Sequence, residues 1–366
     1  EGDTASGMVA GDFNGDGAMD VLLAASQADG PGNTRVDAGE VYLFLGPFQP
    51  GDRRDAGQEQ QALTIYGADP GDQLGRAIGA GDVNGDGIDD LILGAPFADG
   101  LDENRPDSGQ VHILFGSLEM GPEAREIDLA ATSSDVTIYG ADAEDLAGFA
   151  IATADVHGDG IADLILGALW ADGPDNARSR AGDIYVISGA AALPPQLDLA
   201  AEDGAAVIFG AQPDDRLGET VAAGDVNGDG VADLILPAPF APGPQSDREA
   251  AGETYVIFGP PPTEVDIARG QQDITIVGVD AGDQLGHSLG SGDVDGDGMD
   301  DILLGAVSAN GFGNEARLAG EAAVVAGSDS RGLQVDVAAG GATSIIYAAN
   351  AGDRLGRSAT VGDVNA

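Results

Sequence analysis

Residues Gly81–Pro96 read GDVNGDGIDDLILGAP, an acidic loop punctuated by glycine and followed at once by an apolar run. The stretch recurs as GDFNGDGAMDVLLAAS from Gly11, ADVHGDGIADLILGAL from Ala154, GDVNGDGVADLILPAP from Gly224 and GDVDGDGMDDILLGAV from Gly292. A further copy, GDVN, opens at Gly362. The first aspartate of each copy falls at 12, 82, 155, 225, 293 and 363, at intervals of 70, 73, 70, 68 and 70 residues. So regular a spacing over 366 residues marks a repeat array, and length alone does not set the number of domains.

The same runs surround every copy. A short run precedes the loop, as in Arg76–Ala80, and an apolar run follows it, as in Leu91–Leu93, at strand rather than helix length. A loop of Gly, Asp, Asn and Arg comes next (Ala98–Gly109 in the second unit). Then come a β-branched and aromatic run (41–44, 111–115, 184–187, 255–258) and a fourth run (63–66, 136–139, 207–209, 274–277, 345–347). The one helical hint is a turn at Ile127–Ala130, with counterparts at Leu197, Val265 and Val335. Four short strands per unit, repeated radially, predict an all-β fold, a β-propeller of four-stranded antiparallel blades. A solenoid fits this strand density less well. The predicted blades are 1–67, 68–140, 141–210, 211–278 and 279–347, with a partial blade at 348–366. Spacing alone does not separate a ring of five from one of seven; five complete repeats and the start of a sixth are expected to belong to a seven-bladed ring of a longer parent. The chain starts at Glu1 rather than Met and is expected to be a mature or excised piece of a longer parent.

Numbered from its first aspartate, the second loop places Asp82, Asn84, Asp86 and Asp90 at positions 1, 3, 5 and 9, Gly87 at 6 and the carbonyl of Ile88 at 7. That is the oxygen-ligand spacing of an EF-hand loop without its glutamate at 12. The corresponding sets are Asp12, Asn14, Asp16, Ala18 carbonyl and Asp20; Asp155, His157, Asp159, Ile161 carbonyl and Asp163; Asp225, Asn227, Asp229, Val231 carbonyl and Asp233; and Asp293, Asp295, Asp297, Met299 carbonyl and Asp301. Hard oxygen donors suit Ca²⁺ over transition metals, and Mg²⁺ asks for a smaller octahedral site that keeps several waters. A two-residue hairpin turn would have no use for three spaced carboxylates. Five calcium sites are therefore expected. The Asp155–Asp163 site is expected to be weakest because imidazole is a poor ligand for a hard cation, and the Asp293–Asp301 site tightest because it carries an extra carboxylate.

The net charge is −48, and all 15 basic residues are Arg. Five divalent cations would cancel only ten of those charges, so nucleic acid and anionic membrane surfaces are not expected partners. No apolar stretch approaches the roughly 18 residues of a membrane span, which argues against membrane insertion. No signal peptide is visible. The absence of Cys excludes disulfides and thiolate chemistry but leaves the compartment open.

These residues resemble FG-GAP repeats, the blades of the N-terminal propeller of integrin α subunits and of its bacterial relatives. The GAP element stands as Gly94-Ala95-Pro96, and in weaker form as Gly167-Ala168-Leu169, Pro237-Ala238-Pro239 and Gly305-Ala306-Val307. The FG element stands as Leu74-Gly75, Leu217-Gly218, Leu285-Gly286 and Leu355-Gly356. The resemblance covers essentially the whole chain. It implies that the calcium loops join the first and second strands on one face. Ligands are then met on the other face, by the loops before the first strand and between the second and third. Integrin propellers carry fewer calcium loops, and no inserted metal-dependent adhesion domain interrupts this chain.

Three features are read as structural. Gly286-His287-Ser288-Leu289-Gly290 matches a nucleophile elbow, but its register recurs as Gly75–Gly79 and Gly218–Ala222 with Ala77 and Thr220 at the serine position, so a strand residue is expected. His112, which replaces a Tyr, is expected to pack. Phe97, Trp170 and Phe240, after the GAP positions, are expected to form a packing rim rather than a ligand patch. Arg178 and Arg180 form a rare basic cluster that contacts a partner or pairs with nearby Asp. The resulting expectation is a non-enzymatic, extracellular or cell-surface calcium-binding module for protein or glycan ligands. The alternatives are a propeller domain of a secreted enzyme, as in polysaccharide lyases or beside phospholipase domains, or a structural spacer in a large surface protein.

Overall fold

A computed structural model describes residues 4–58, 60–101, 104–121, 125–201, 204–243 and 248–362; Asp363, which opens the sixth loop, lies outside them. The described chain is all-β, with 3-10 turns as its helical elements. It divides into two compact units. One comprises Glu1–Thr153, Gly160–Ala168 and Ile187–Ala205; the other comprises Ala154–Asp159, Leu169–Val186 and Ala206–Ala366.

In the first unit, β1 (Gly7–Gly11), β2 (Asp20–Ala25), β3 (Glu40–Phe44) and β4 (Leu63–Tyr66) form one antiparallel meander. The next repeat forms another from β5 (Ile78–Gly81), β6 (Asp90–Ala95), β7 (Gln110–Leu114) and β9 (Val136–Tyr139). The third repeat supplies β10 (Ala147–Ala154) and β11 (Asp163–Ala168), mainly to the first unit, and β12 (Asp183–Ile187) and β14 (Ala205–Phe209), mainly to the second. The second unit adds two more meanders: β15 (Ala222–Gly224), β16 (Asp233–Ala238), β17 (Glu253–Ile257) and β19 (Ile274–Val277), then β20 (Leu285–Gly292), β21 (Asp301–Ala306), β22 (Glu321–Val325) and β24 (Ser344–Tyr347). These sheets carry the β-propeller pattern of four strands per repeat. The second strands read as unbroken apolar runs because every residue of β6, β11 and β16 is buried. First strands are small because neighbouring repeats crowd them. A side chain at Gly79 would come within 2.8 Å of Ile151.

The FG and GAP glycines explain each other. A Cβ on Gly94 would lie 2.3 Å from the carbonyl oxygen of Gly148, in the FG position of the next repeat, and one on Gly305 would lie 2.2 Å from that of Gly356. At these two junctions the elements meet backbone to backbone and leave no space for a side chain, whereas Ala24 and Pro237 hold the GAP position where they face Gly75 and Gly286.

The four-strand blade and the helical turn at Ile127–Ala130 need correction. A fifth strand joins the outer edge of a sheet, parallel to its fourth strand, and it comes from the following repeat. β8 (Arg125–Asp128) pairs with β4, β13 (Gln196–Asp198) with β9, β18 (Glu264–Asp266) with β14, and β23 (Leu333–Asp336) with β19. The 3-10 turns follow it at Leu199–Ala201, Ile267–Arg269 and Val337–Ala339. The added strand covers an edge whose free N–H and C=O groups would otherwise invite other chains.

An arginine locks each added strand. Arg178 donates to the Gly210 carbonyl at 2.7 Å and to both carboxylate oxygens of Asp266 at 2.7 and 2.8 Å. Arg35 joins Gly67 to Asp128, Arg105 joins Ala141 to Asp198, and Arg248 joins Gly278 to Asp336 in the same way. Each clamp ties one repeat to the strand lent by the next. In the fifth repeat Ala316 holds the arginine position, its N–H bonded to Asn310 as that of Arg35 is to Asp29.

Burial should rank these clamps. The Asp266 side chain is 1% exposed and that of Asp128 is 36% exposed. Asp266→Asn is expected to cost about 2–4 kcal/mol, because it leaves a shielded guanidinium half-paired. Asp128→Asn is expected to cost under about 1 kcal/mol, because water screens that pair. Urea midpoints in saturating calcium check this, and equal losses would refute the burial argument.

Candidate metal centres

The acidic loops connect the first and second strands of every repeat, spanning Gly11–Asp20, Gly81–Asp90, Ala154–Asp163, Gly224–Asp233 and Gly292–Asp301. Within the second loop, Asp82 accepts the N–H groups of Asp86 at 3.0 Å and Gly87 at 2.7 Å. Asn84 accepts Asp86 N–H at 2.9 Å, and Asp86 accepts Ile88 N–H at 2.9 Å. Each side chain thus caps the main chain two to five residues on and coils the loop about its own oxygens. Gly87, at φ +87°, supplies the left-handed step this coil needs. Loops one, four and five repeat these bonds through Asp12, Asn14 and Asp16; Asp225, Asn227 and Asp229; and Asp293, Asp295 and Asp297. In loop three Asp155 accepts Gly158 and Asp159 N–H groups at 2.6 and 3.0 Å. In loop five, carboxylate oxygens of Asp293, Asp295 and Asp297 all lie within 4.8 Å of one another and face solvent. An all-oxygen, net-negative donor set fits a hard divalent cation.

Position 9 is placed differently. Asp20, Asp90, Asp163 and Asp233 are 0% exposed and Asp301 is 3% exposed. One Asp90 oxygen accepts Val83 N–H inside the loop and the other accepts Gly116 N–H after the third strand. Asp20, Asp233 and Asp301 do the same with Phe13 and Gly46, Asn227 and Gly259, and Val294 and Gly327; Asp163 accepts Gly189 N–H. Burial, outweighing these amides, pushes Asp90 up to about 7 and Asp233 to about 6, with the loop's other carboxylates adding to the rise.

Neighbouring loops are bonded in series. The position-1 carbonyls of Asp12, Asp82, Asp155 and Asp225 accept the position-8 N–H groups of Asp89, Ala162, Ala232 and Asp300 in the following loops. Asp89 and Asp300 return a carboxylate to Asp12 N–H and Asp225 N–H. The position-8 residues were not singled out from the sequence, since nothing within one repeat marks them.

The other sequence candidates resolve as follows. Ser288 lies in β20, 7% exposed, and donates its hydroxyl to the Gly356 carbonyl at 2.8 Å. It is a strand residue, as its register implies. His112 is buried beside Ser134, and desolvation lowers its pKa to about 4. Arg178 pairs with Asp266. Arg180 lies over the Trp170 ring, its Cζ 5.3 Å from the centroid, and Arg216 lies over Phe240 at 4.2 Å. Phe97 lines a cavity of about 480 Å³ with Asp69, Asp72, Asp99, Asp107 and Tyr139. Missed in the sequence was a row of buried acids, Asp145, Asp215 and Asp283, each two positions before the FG element. The recurring Gly-Asp-Gln-Leu-Gly at 71–75 and 282–286 was its only signal.

A family model described as FG-GAP repeat matches residues 4–44, 74–114 and 217–257, each match running from the loop before a first strand through a third strand. The chain carries FG-GAP repeats. Its relatives include integrin alpha pat-2 of Caenorhabditis briggsae, 28% identical over 265 residues, covering 68% of this chain and 19% of that protein. They also include phosphatidylinositol-glycan-specific phospholipase D of Bos taurus, 33% identical over 179 residues, covering 49% of this chain and 20% of that protein. The chain thus spans about a fifth of the length of these relatives. Among solved structures, the V. cholerae biofilm matrix protein Bap1 aligns over 93% of this chain and 38% of that chain, at TM-score 0.36 and 16% identity. Among the described residues no helix is long and apolar enough to cross a membrane.

The buried acids set a pH dependence. Asp283 is pushed up to about 7, by burial first and then by Glu321 and Asp280. Unfolded, its carboxyl ionises near 3.9. Between those values the folded chain holds the proton and the unfolded chain releases it. This group's stability is therefore full below about pH 4 and is lost as pH rises through 7. Asp283→Asn, permanently neutral, should flatten the fall in melting temperature between pH 5 and pH 8, by on the order of 1 kcal/mol or more. An unchanged slope would show that Asp283 ionises normally in the fold.

Proposed function

We propose that this chain is a calcium-stabilised segment of an FG-GAP propeller that works as a binding module outside the cell, taking protein or glycan ligands on loops at the sheet ends remote from the acidic loops. The observation that carries the reading is the coil of oxygen donors at positions 1, 3 and 5 in loops one, two, four and five, with His157 at position 3 of loop three, and the main-chain bonds that join each loop to the next. The ligands proposed are the side chains at 1, 3, 5 and 9 and the position-7 carbonyls of Ala18, Ile88, Ile161, Val231 and Met299. The position-9 carboxylates would serve through lone pairs not used by amides. Calcium outside cells is abundant enough to fill sites with dissociation constants of about 10⁻⁴ to 10⁻³ M. The similarity to integrin α subunits supports a surface setting. Similarity to a phospholipase D favours a second reading, in which the propeller accompanies a catalytic domain elsewhere in a longer chain.

Thermal unfolding in calcium, in magnesium and in chelator tests the metal. A large rise in melting temperature with calcium that magnesium does not reproduce is expected, since ligands that bind only the folded state stabilise it by mass action. No rise would reduce the loops to turns and remove the extracellular reading with them.

Calcium titration of single-loop variants tests the ranking. Asp297→Asn is expected to remove the tightest site and Asp159→Asn the weakest. Because each loop is bonded to the next, either change should also weaken sites in adjoining loops. Equal and independent losses would overturn both statements.

A further inference from the structure

The loops before the first strands and those before the third strands meet through one recurring main-chain bond. Gln73 N–H donates to the Asp37 carbonyl, Leu146 to Asp107, Arg216 to Arg180, Gln284 to Ala250 and Arg354 to Leu318, all between 3.1 and 3.3 Å. The side chains at these paired positions are Asp–Gln, Asp–Leu, Arg–Arg, Ala–Gln and Leu–Arg. The bond is common to all and the side chains are not, so the scaffold does not require an arginine at either place. One pair alone sets two cations together, in a chain of net charge −48.

Both cations of that pair are held on aromatic rings. Arg180 stacks over Trp170 and Arg216 over Phe240. The GAP elements place these rings, and the same position carries Gln27 in the first repeat and Ser308 in the fifth. Among the described residues neither guanidinium makes an ion pair or a side-chain hydrogen bond, and Arg216 Nε is buried without a partner. Arg180 is exposed, and Trp170, Arg216 and Phe240 are half-buried. The local carboxylates are otherwise engaged. Asp172 accepts Arg180 N–H, and Asp215 accepts Gln212 N–H from a buried position. Stacking fixes the planar forks while leaving their donors unspent, which is the preorganisation that carboxylate recognition uses.

We propose that Trp170, Arg180, Arg216 and Phe240 form a recognition patch for a uronic-acid segment of an acidic polysaccharide. The proposal rests on the reading of this chain as a binding module. A sugar ring offers an apolar face to the half-exposed aromatics and one carboxylate to a guanidinium. Two adjacent uronates then match two forks. The acidic surface repels any extended polyanion, so the occupant is a short uronate segment that engages the two guanidiniums. The denser charge of a nucleic acid would gain the same two contacts against a stronger repulsion.

Isothermal titration in calcium with a uronate trisaccharide, a neutral trisaccharide and an acidic tripeptide tests it. The double variant Arg180→Asp/Arg216→Gln carries the side chains of the equivalent pair between the first and second repeats, Asp37 and Gln73, so it should fold. Its calcium-dependent melting, read in the same samples, confirms that. The uronate is expected to bind and to bind at least tenfold more weakly to the double variant and to Trp170→Ala, with no heat from the neutral sugar. Absence of uronate binding, equal binding by the double variant, or equal binding of the acidic tripeptide would each overturn the proposal. The calcium shift can persist in all three of those outcomes, so failure here is distinguishable from failure of the calcium module itself.

Discussion

A carboxylate with no access to solvent is an expensive thing to bury, and every complete repeat buries one. Asp20, Asp90, Asp233 and Asp301 are tolerated because main-chain amides from two directions converge on them, and Asp163 accepts the Gly189 amide. For Asp90 those amides are Val83, inside the acidic loop, and Gly116, in the turn that ends the third strand. The bond set therefore fixes the loop against the sheet before any cation is considered. Charge-assisted bonds of this kind contribute about 1.5–3 kcal/mol each. Everything at that end of a repeat hangs on them: the start of the second strand, the exit of the third and the orientation of the exposed donors at positions 1, 3 and 5.

From that anchor the repeats are joined at two levels. At the acidic loops, a carbonyl at position 1 meets an amide at position 8 of the next loop. At the outer edge, a lent parallel strand is held by an arginine that also binds its own repeat. Both links use the backbone of one repeat and a group from the next, so an isolated repeat would lack half of each. Stability in such arrays is largely a sum of neighbour terms. A cation that orders one loop must therefore act on the adjoining one through the same amide. Ala316 interrupts the arginine series, and with it the fifth repeat gives up a link that four others keep.

The readable parts of this fold were those with a fixed place in the period. Asp at 1, 5 and 9 stood out because five copies kept them, and the second strands because complete burial makes them continuously apolar. The lent strand was unreadable. β18 is three residues long with one apolar side chain, Val265, which cannot display an alternation, and it was taken for part of a turn. Its clamp was unreadable for a different reason, since Arg178 and Asp266 stand 88 residues apart. The buried acids were hidden by composition. In a chain with 63 acidic residues, Asp215 and Asp283 look like solvated turn residues until the packing around Glu253 and Glu321 is visible. Position 9 reads from the sequence as a candidate ligand and not as an anchor, because its amide partner lies after a strand that the loop itself precedes.

Repetition also separates what the scaffold demands from what it merely permits. Gly94 and Gly148 leave no room for a side chain, and the FG glycine is kept at 75, 148, 218, 286 and 356 while the facing GAP position varies from glycine to Ala24 and Pro237. The bonded pairs from Asp37–Gln73 to Leu318–Arg354 share a backbone bond, and no side-chain pairing recurs among them. Stability acts on the first class and is nearly indifferent to the second. An unusual pairing in the second class therefore carries information that one in the first does not. Two stacked arginines without a side-chain partner among the described residues cost solvation and pack no core. The scaffold does not require them, and the chemistry they offer is that of two ring-stacked guanidiniums with donors suited to carboxylates.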